Sequence, residues 1–143
     1  MIELNHIFKG TNINLTPLVT SVTWSGDIMT ASRNLDVELN NTLDGKRRAA
    51  FVEEGAEIIF KWNNVELFRG VLFSDNISID GTHSFTAHDE NYYLLKNFDT
   101  IKLSKVTAGT FIKSTCAKFG VATGAIADTG YVIPKMILRD MSL

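Results

Sequence analysis

The sequence predicts a mainly β chain with some α, an α+β class in which a small antiparallel β-barrel is followed by a flanking helix. Three observations predict it. Apolar and polar residues alternate with period two in most of the chain before residue 89. Turn dipeptides, Asp44-Gly45, Asn63-Asn64 and Asp80-Gly81, separate the alternating segments. After residue 89 the apolar period becomes helical. The expected division is residues 1–95 as the barrel and 96–143 as a helix-containing appendage, the start of a further domain cut short within an element.

The elements follow in order. In NLDVELN, Leu35, Val37 and Leu39 share one face, and Asn34, Asp36, Glu38 and Asn40 share the other. That is a half-buried antiparallel strand. In EIIFKW, Ile58, Phe60 and Trp62 share a face, and Asn63-Asn64 then marks a tight hairpin. With the turns at 44–45 and 80–81, the strand pairs form an expected meander. The run from Val65 to Ile79 is longer than an ordinary strand of about 5–6 residues. Both of its faces are apolar in the middle, so it must change the side it covers. Gly70 is the expected bend, since glycine inside a strand marks a corner or a close backbone approach. Arg69 shares a face with Leu67 and Val71, so it must be paired with a carboxylate or lie at the barrel rim.

DENYYLLKN reads as a short helix or turn, with Asp89 able to cap it. TAGTFIKSTCAKFG is the clearest helix, with Ala108, Phe111, Ile112, Thr115, Cys116 and Phe119 on one stripe. Thr107 is its N-cap and Gly120 its stop. The open side of the barrel is the expected surface for this helix to brace. YVIPKMILRDMSL, with Ile133, Met136, Ile137 and Met141, resembles the entry to another helix.

Length and composition narrow the function. The chain has 143 residues, with 45% apolar and 21% charged, enough for one real core. A net charge of −2 argues against a bulk nucleic-acid binder, which would need a basic face. The single cysteine, Cys116, excludes an internal disulfide and fits a reducing compartment. MIELNHIFKG has no basic n-region and no signal-length apolar run, and no stretch approaches the ~20 apolar residues of a membrane span. The expectation is a protein without a membrane anchor, made and kept in a cytoplasm until something moves it.

Candidate chemistry is sparse. His83, His88, Asp89 and Glu90 are the one group resembling metal ligands, but His83 and His88 lie five apart on a strand and face opposite ways. Cys116 falls in the helix stripe, where a small core residue is the reading. Glu53-Glu54 precede Gly55 in a solvated turn. GTNINLTP and GVATGAIADTG lack the spacing of a phosphate cradle. No catalysis, metal or cofactor is expected. Lys46, Arg47 and Arg48 form the one basic run, a solvated loop or a docking loop projecting from the barrel. With Arg69 and Gly70 they make the candidate structural and interface set. The rival reading is a carbohydrate- or ligand-binding barrel, which needs Trp24 and Trp62 on one platform. A third, a hydrolase, needs the histidine group to converge.

Four phrases occur in order: LTPLVTSVTWSGDIMTASRNLDVEL, VEEGAEIIFKWNNVELFRGVLFS, FTAHDENYYLLKNFDTIKLSKVTAGTFIKSTCAKFGV and GYVIPKMI. The series, from about Leu15 to Ile137, resembles the N-terminal part of PBSX-type prophage tail proteins of the XkdQ/YqbQ group. These are similar in turn to baseplate hub proteins of contractile phage tails. The resemblance implies a tube domain, a small antiparallel barrel with a flanking helix, in a protein that trimerises into a ring between tail tube and central spike. It implies a bore that DNA crosses without specific binding, and a final location in the virion tail. Members of the group are much longer than this chain.

Overall fold

The computed structural model describes residues 1–30, 32–43 and 47–142. The expected turn at Asp44-Gly45 and the basic residue Lys46 lie outside the described residues. The chain divides into two compact units, Met1–Glu90 and Asn91–Leu143.

Among the described residues the first unit is one antiparallel sheet of seven strands. In chain order these are β1 (Ile2–Phe8), β2 (Thr11–Asn14), β3 (Val19–Gly26), β4 (Arg33–Asn40), β5 (Glu57–Trp62), β6 (Val65–Ile77) and β7 (Thr82–His88). Their spatial order is β2-β1-β5-β6-β7-β4-β3. The mainly β, antiparallel character agrees with the alternation in the sequence.

Closure does not. No ladder joins β2 to β3, so the sheet is rolled but is not a closed barrel. The roll has a covalent cause. Six inter-strand steps of about 4.8 Å would put the edges of a flat sheet about 29 Å apart. The chain from Asn14 to Val19, through the 3-10 turn Thr16–Leu18, is five residue steps. That spans at most about 18 Å. The two edge strands are therefore drawn together by this short corner, and the connection stands where a hydrogen-bonded seam was expected. Thr16 fixes the corner: its Oγ1 accepts from Leu4 N at 2.8 Å, and Leu15 N donates to Leu4 O at 2.8 Å.

The meander is also narrower than expected. β5, β6 and β7 are hairpin neighbours, but β4 pairs with β7 rather than β5. Residues 41–56 cross over between them in a Greek-key connection. This crossover supplies Ala50 and Val52 to the core. Asn63 and Asn64, at φ 49° and 64°, make the tight β5–β6 turn that their tolerance of positive φ predicts.

The inner face of the roll is the core: Leu4, Leu35, Val37, Leu39, Ile58, Phe60, Phe68, Leu72, Phe85 and Ala87, with Leu15 from the corner. β6 keeps its place in it through two bulges. The register with β5 slips at Leu67, and that with β7 slips at Phe73. Each extra residue reverses the alternation. Phe68, Gly70 and Leu72 point inward between the bulges, and Asp75 and Ile77 share the face of Phe85 and His83 beyond the second. That is why both faces of this strand read as apolar. Gly70 lies midway and serves close approach: a Cβ there would sit 2.2 Å from the His88 carbonyl oxygen and 2.7 Å from Phe68 Cζ.

The second unit holds α1 (Asn91–Lys96), β8 (Phe98–Thr107), α2 (Ala108–Phe119) and β9 (Val132–Ser142). α2 has the expected ends. Thr107 Oγ1 accepts from Thr110 N at 3.2 Å. Gly120, at φ 71°, stops the helix, with Gly120 N donating to Ala117 O at 3.3 Å and Val121 N to Cys116 O at 2.9 Å. α2 packs on β8, where Lys118 Nζ donates to Asp99 Oδ2 at 2.6 Å. The helix expected over 133–141 is instead strand β9, antiparallel to β8. Helical and strand readings compete wherever apolar residues are dense, and here the register Leu103↔Met136 and Val106↔Ile133 decides for the strand.

The Gly70→Ala variant is expected to lose about 2–3 kcal/mol of stability, because backbone on β7 has to move. A urea midpoint unchanged from wild type would contradict that account.

Candidate functional site

Arg69 lies on the outer face of β6, opposite Ile59. Its guanidinium makes a bidentate pair with Glu66, Nε to Oε1 at 2.8 Å and Nη2 to Oε2 at 2.9 Å, and Nη1 donates to Glu57 Oε1. The bulge at Leu67 helps bring Glu66 round to this pairing. The guanidinium bonds hold the Glu66 carboxyl below its usual range, and the two carboxylates raise Arg69 further above its ordinary value. Of the two positions the sequence allowed, Arg69 takes the paired one. Gly70 is its neighbour in the chain but faces the core.

Arg47 and Arg48 are exposed on the 41–56 crossover. The backbone is held there: Leu43 N donates to Arg47 O at 2.9 Å. Asn41 clamps the crossover, with Nδ2 donating to Ala50 O and Oδ1 accepting from Ala50 N, both at 2.8 Å. Asn41 Nδ2 also lies 3.0 Å from His83 Nδ1, and His83 Nε2 lies 3.1 Å from Asp75 Oδ2. An amide donor on Nδ1 leaves the His83 proton on Nε2, donated to Asp75. Nothing in the sequence pointed to this chain of contacts, since Asn41 and His83 are 42 residues apart.

The histidine group does not converge. His83 is buried in that network, whereas His88 faces outward and pairs with Asn34 Oδ1 at 3.0 Å. Among the described residues no three His, Cys, Asp or Glu side chains gather to hold a metal. Cys116 is buried and Glu53-Glu54 lie in an exposed turn, as their sequence context predicts. Trp24 is on β3 beneath the Arg33 guanidinium, 5.3 Å from the ring centroid, and Trp62 is on β5.

Two further features were not singled out from sequence. On the outer face of β3-β4-β7-β6, paired rows Thr23–Asp36–Thr86–Ser74 and Ser21–Glu38–Ser84–Asn76 line a shallow groove of about 290 Å³. Carboxylates, hydroxyls and an amide make up these rows, and Thr86 Oγ1 donates to Asp36 Oδ1 at 2.6 Å. The other feature is His6, which is buried on the inner face of β1, with Nε2 accepting from Glu53 N at 3.3 Å. Burial pushes its pKa down. No helix among the described residues is long and apolar enough to cross a membrane.

Taken together, these are the features of a rolled antiparallel module whose available chemistry lies in edges, turns and paired surface charges. The chain belongs to the YQBQ-like family, whose model matches residues 22–143. It is 37% identical over 124 residues to the uncharacterized protein YqbQ of Bacillus subtilis, covering 86% of this chain and 37% of that protein. It is 32% identical over 140 residues to the phage-like element PBSX protein XkdQ of the same organism, covering 98% of this chain and 42% of XkdQ. The chain thus spans about two fifths of the length of these relatives. Its fold is similar to that of the 43 kDa tail protein of prophage MuSo2 from Shewanella oneidensis, at a TM-score of 0.71 and 14% identity, covering 99% of this chain and 45% of that one.

Arg69→Ala is expected to cost no more than about 1 kcal/mol, because the ion-pair cluster is partly exposed and screened. A thermal midpoint within a few degrees of wild type is the corresponding measurement. For His6, the folded state binds the proton less readily than the unfolded chain. Stability is therefore full above the ordinary imidazole value of 6.5 and falls below it, until the folded-state ring also protonates. Urea midpoints between pH 7.5 and 5 should drop less in His6→Gln than in wild type; parallel slopes would remove the role assigned to burial.

Proposed function

We propose that the chain is a structural component of a prophage tail, and within it part of the baseplate hub ring that links the tail tube to the central spike. The observation that carries this reading is the match to PBSX XkdQ, which runs through 98% of the chain. The fold of the 43 kDa prophage tail protein supports it, because nearly the whole chain superposes on it. Several copies, three in the full-length protein, would enclose a channel through contacts made by sheet edges and loops. β3 is an edge of eight residues without proline or lysine, the kind of edge that pairs with a neighbour.

The hydroxyl and carboxylate rows support a surface past which DNA can travel, since among the described residues the groove they line holds no Lys or Arg to retain phosphate. The role is geometric and involves no catalysis or cofactor. The protein would be made in the bacterial cytoplasm and end in the virion tail, against the tube above and the spike below.

Tails from a host producing an epitope-tagged version, labelled with gold and imaged, should carry label at the lower end of the tube. Tails that lack label there, or carry it along the sheath or at the head end, would overturn the assignment.

A further inference from the structure

Two of the three histidines are buried in the first unit, and both hold the same piece of chain. His6 Nε2, on β1, accepts from Glu53 N at 3.3 Å. His83 Nδ1, on β7, lies 3.0 Å from Asn41 Nδ2, and Asn41 in turn bonds both backbone groups of Ala50 at 2.8 Å. The 47–53 part of the crossover is thus fastened to the sheet at Ala50 and at Glu53, each time through a ring nitrogen that accepts. Arg47, Arg48 and Phe51 are exposed on this strap.

Only a neutral imidazole has an accepting nitrogen. At His6 the donor is a backbone N–H, so the ring's one proton is on Nδ1. A second would have to sit on Nε2, against the Glu53 N–H. At His83 the one proton is on Nε2, toward Asp75 Oδ2 at 3.1 Å, and a second would sit on Nδ1, against the Asn41 amide. That amide cannot turn over, because Oδ1 accepts from Ala50 N while Nδ2 donates to Ala50 O. Either proton sets donor against donor. The rings belong to strands paired on both sides, whereas Ala50 N and Glu53 N bond to Asn41 and His6 instead of to a strand. The strap is therefore the side that gives.

The charges around the rings agree with this. Beside His6 stand Glu53 of the crossover and Lys9 from the end of β1, while β2 and β5 place Ile13 and Ile58 opposite it. Asp75 of β6 faces His83, its contact on the crossover is the uncharged Asn41, and β4 and β6 place Leu39 and Ile77 opposite it. Asp75 keeps a charged His83 ring where it is, so the mismatch falls on Asn41 and Ala50. Burial pushes the His6 pKa down. The closed strap therefore binds that proton less readily than an opened one, and falling pH favours opening. We propose that residues 47–53 are a pH-sensitive strap, held on the sheet by the neutral rings of His6 and His83 and released when these rings take up a second proton. Release leaves the sheet paired and changes how Arg47, Arg48 and Phe51 are presented. The device is independent of the tail assignment, because all its parts lie in the first unit.

Backbone amide exchange of the 143-residue chain, followed by NMR at pH 7.5 and pH 5 and corrected for the intrinsic exchange rate, tests it. On acidification the Ala50 and Glu53 amides should lose at least about tenfold more protection than those of Val37 and Phe85, which pair in the β4–β7 ladder. Glutamine offers an accepting oxygen and a donating NH2 without titrating. In His83→Gln the Ala50 amide should therefore keep its protection at pH 5, and in His6→Gln the Glu53 amide should do so. No extra loss at either strap amide, equal losses in strap and ladder, or an undiminished loss in both glutamine variants would each overturn the proposal. Should a variant fail to fold, the comparison of strap with ladder in the wild-type chain still decides the matter.

Discussion

The first unit depends on the shortness of the link between its two edge strands. Three residues of 3-10 turn, Thr16–Leu18, join β2 to β3, although these strands stand at opposite edges of a seven-stranded sheet. A flat sheet cannot satisfy that connection, so the sheet rolls. Rolling makes one face concave and dry, which is where Leu4, Leu35, Val37, Leu39, Ile58, Phe60 and Phe85 are buried. It also decides what β6 must be. A strand of 13 residues follows the curvature only if its side chains can be re-aimed, and the bulges at Leu67 and Phe73 do this. Gly70, between them, admits the His88 carbonyl where β7 comes closest.

One set of polar groups inside the roll is anchored where the backbone needs a partner. Asn41 replaces sheet pairing for the crossover by bonding both backbone groups of Ala50. His83 continues the chain of contacts to Asp75, which faces the same side of the sheet only because the Phe73 bulge has reversed the alternation. Bulge, buried histidine and crossover form one dependent set. The chain of contacts runs from Asp75 through His83 and Asn41 and ends on the backbone of Ala50.

The exposed chemistry has the opposite character. Arg69 is held between Glu66 and Glu57 on the outer face, and the groove of hydroxyls and carboxylates lies on that side of the sheet too. Surfaces of this kind suit contacts set by shape and register. The second unit is more open still. Phe98, Tyr131, Val132, Met136, Ile137 and Met141 all remain exposed around a two-stranded sheet. A ribbon of two strands is marginal by itself, and α2 packs on β8 beside it.

The sequence by itself determined the local elements. The alternation in 34–40 and 58–62, the turn at Asn63-Asn64, and the cap, stripe and stop of the 107–120 helix all depend on neighbours close along the chain. The family resemblance was legible for a related reason, because those same structural positions carry it. Tertiary structure decided what depends on distant partners: whether the sheet closes, that β4 pairs with β7 and not β5, and that 132–142 is a strand. It also decided which carboxylates hold Arg69, that Gly70 answers to backbone on β7, and that Asn41 meets His83 across 42 residues. A period of two records which residues face inward but not which strand lies alongside. That choice is made by the inter-strand hydrogen bonds and the space available, neither of which is written in any short window of residues.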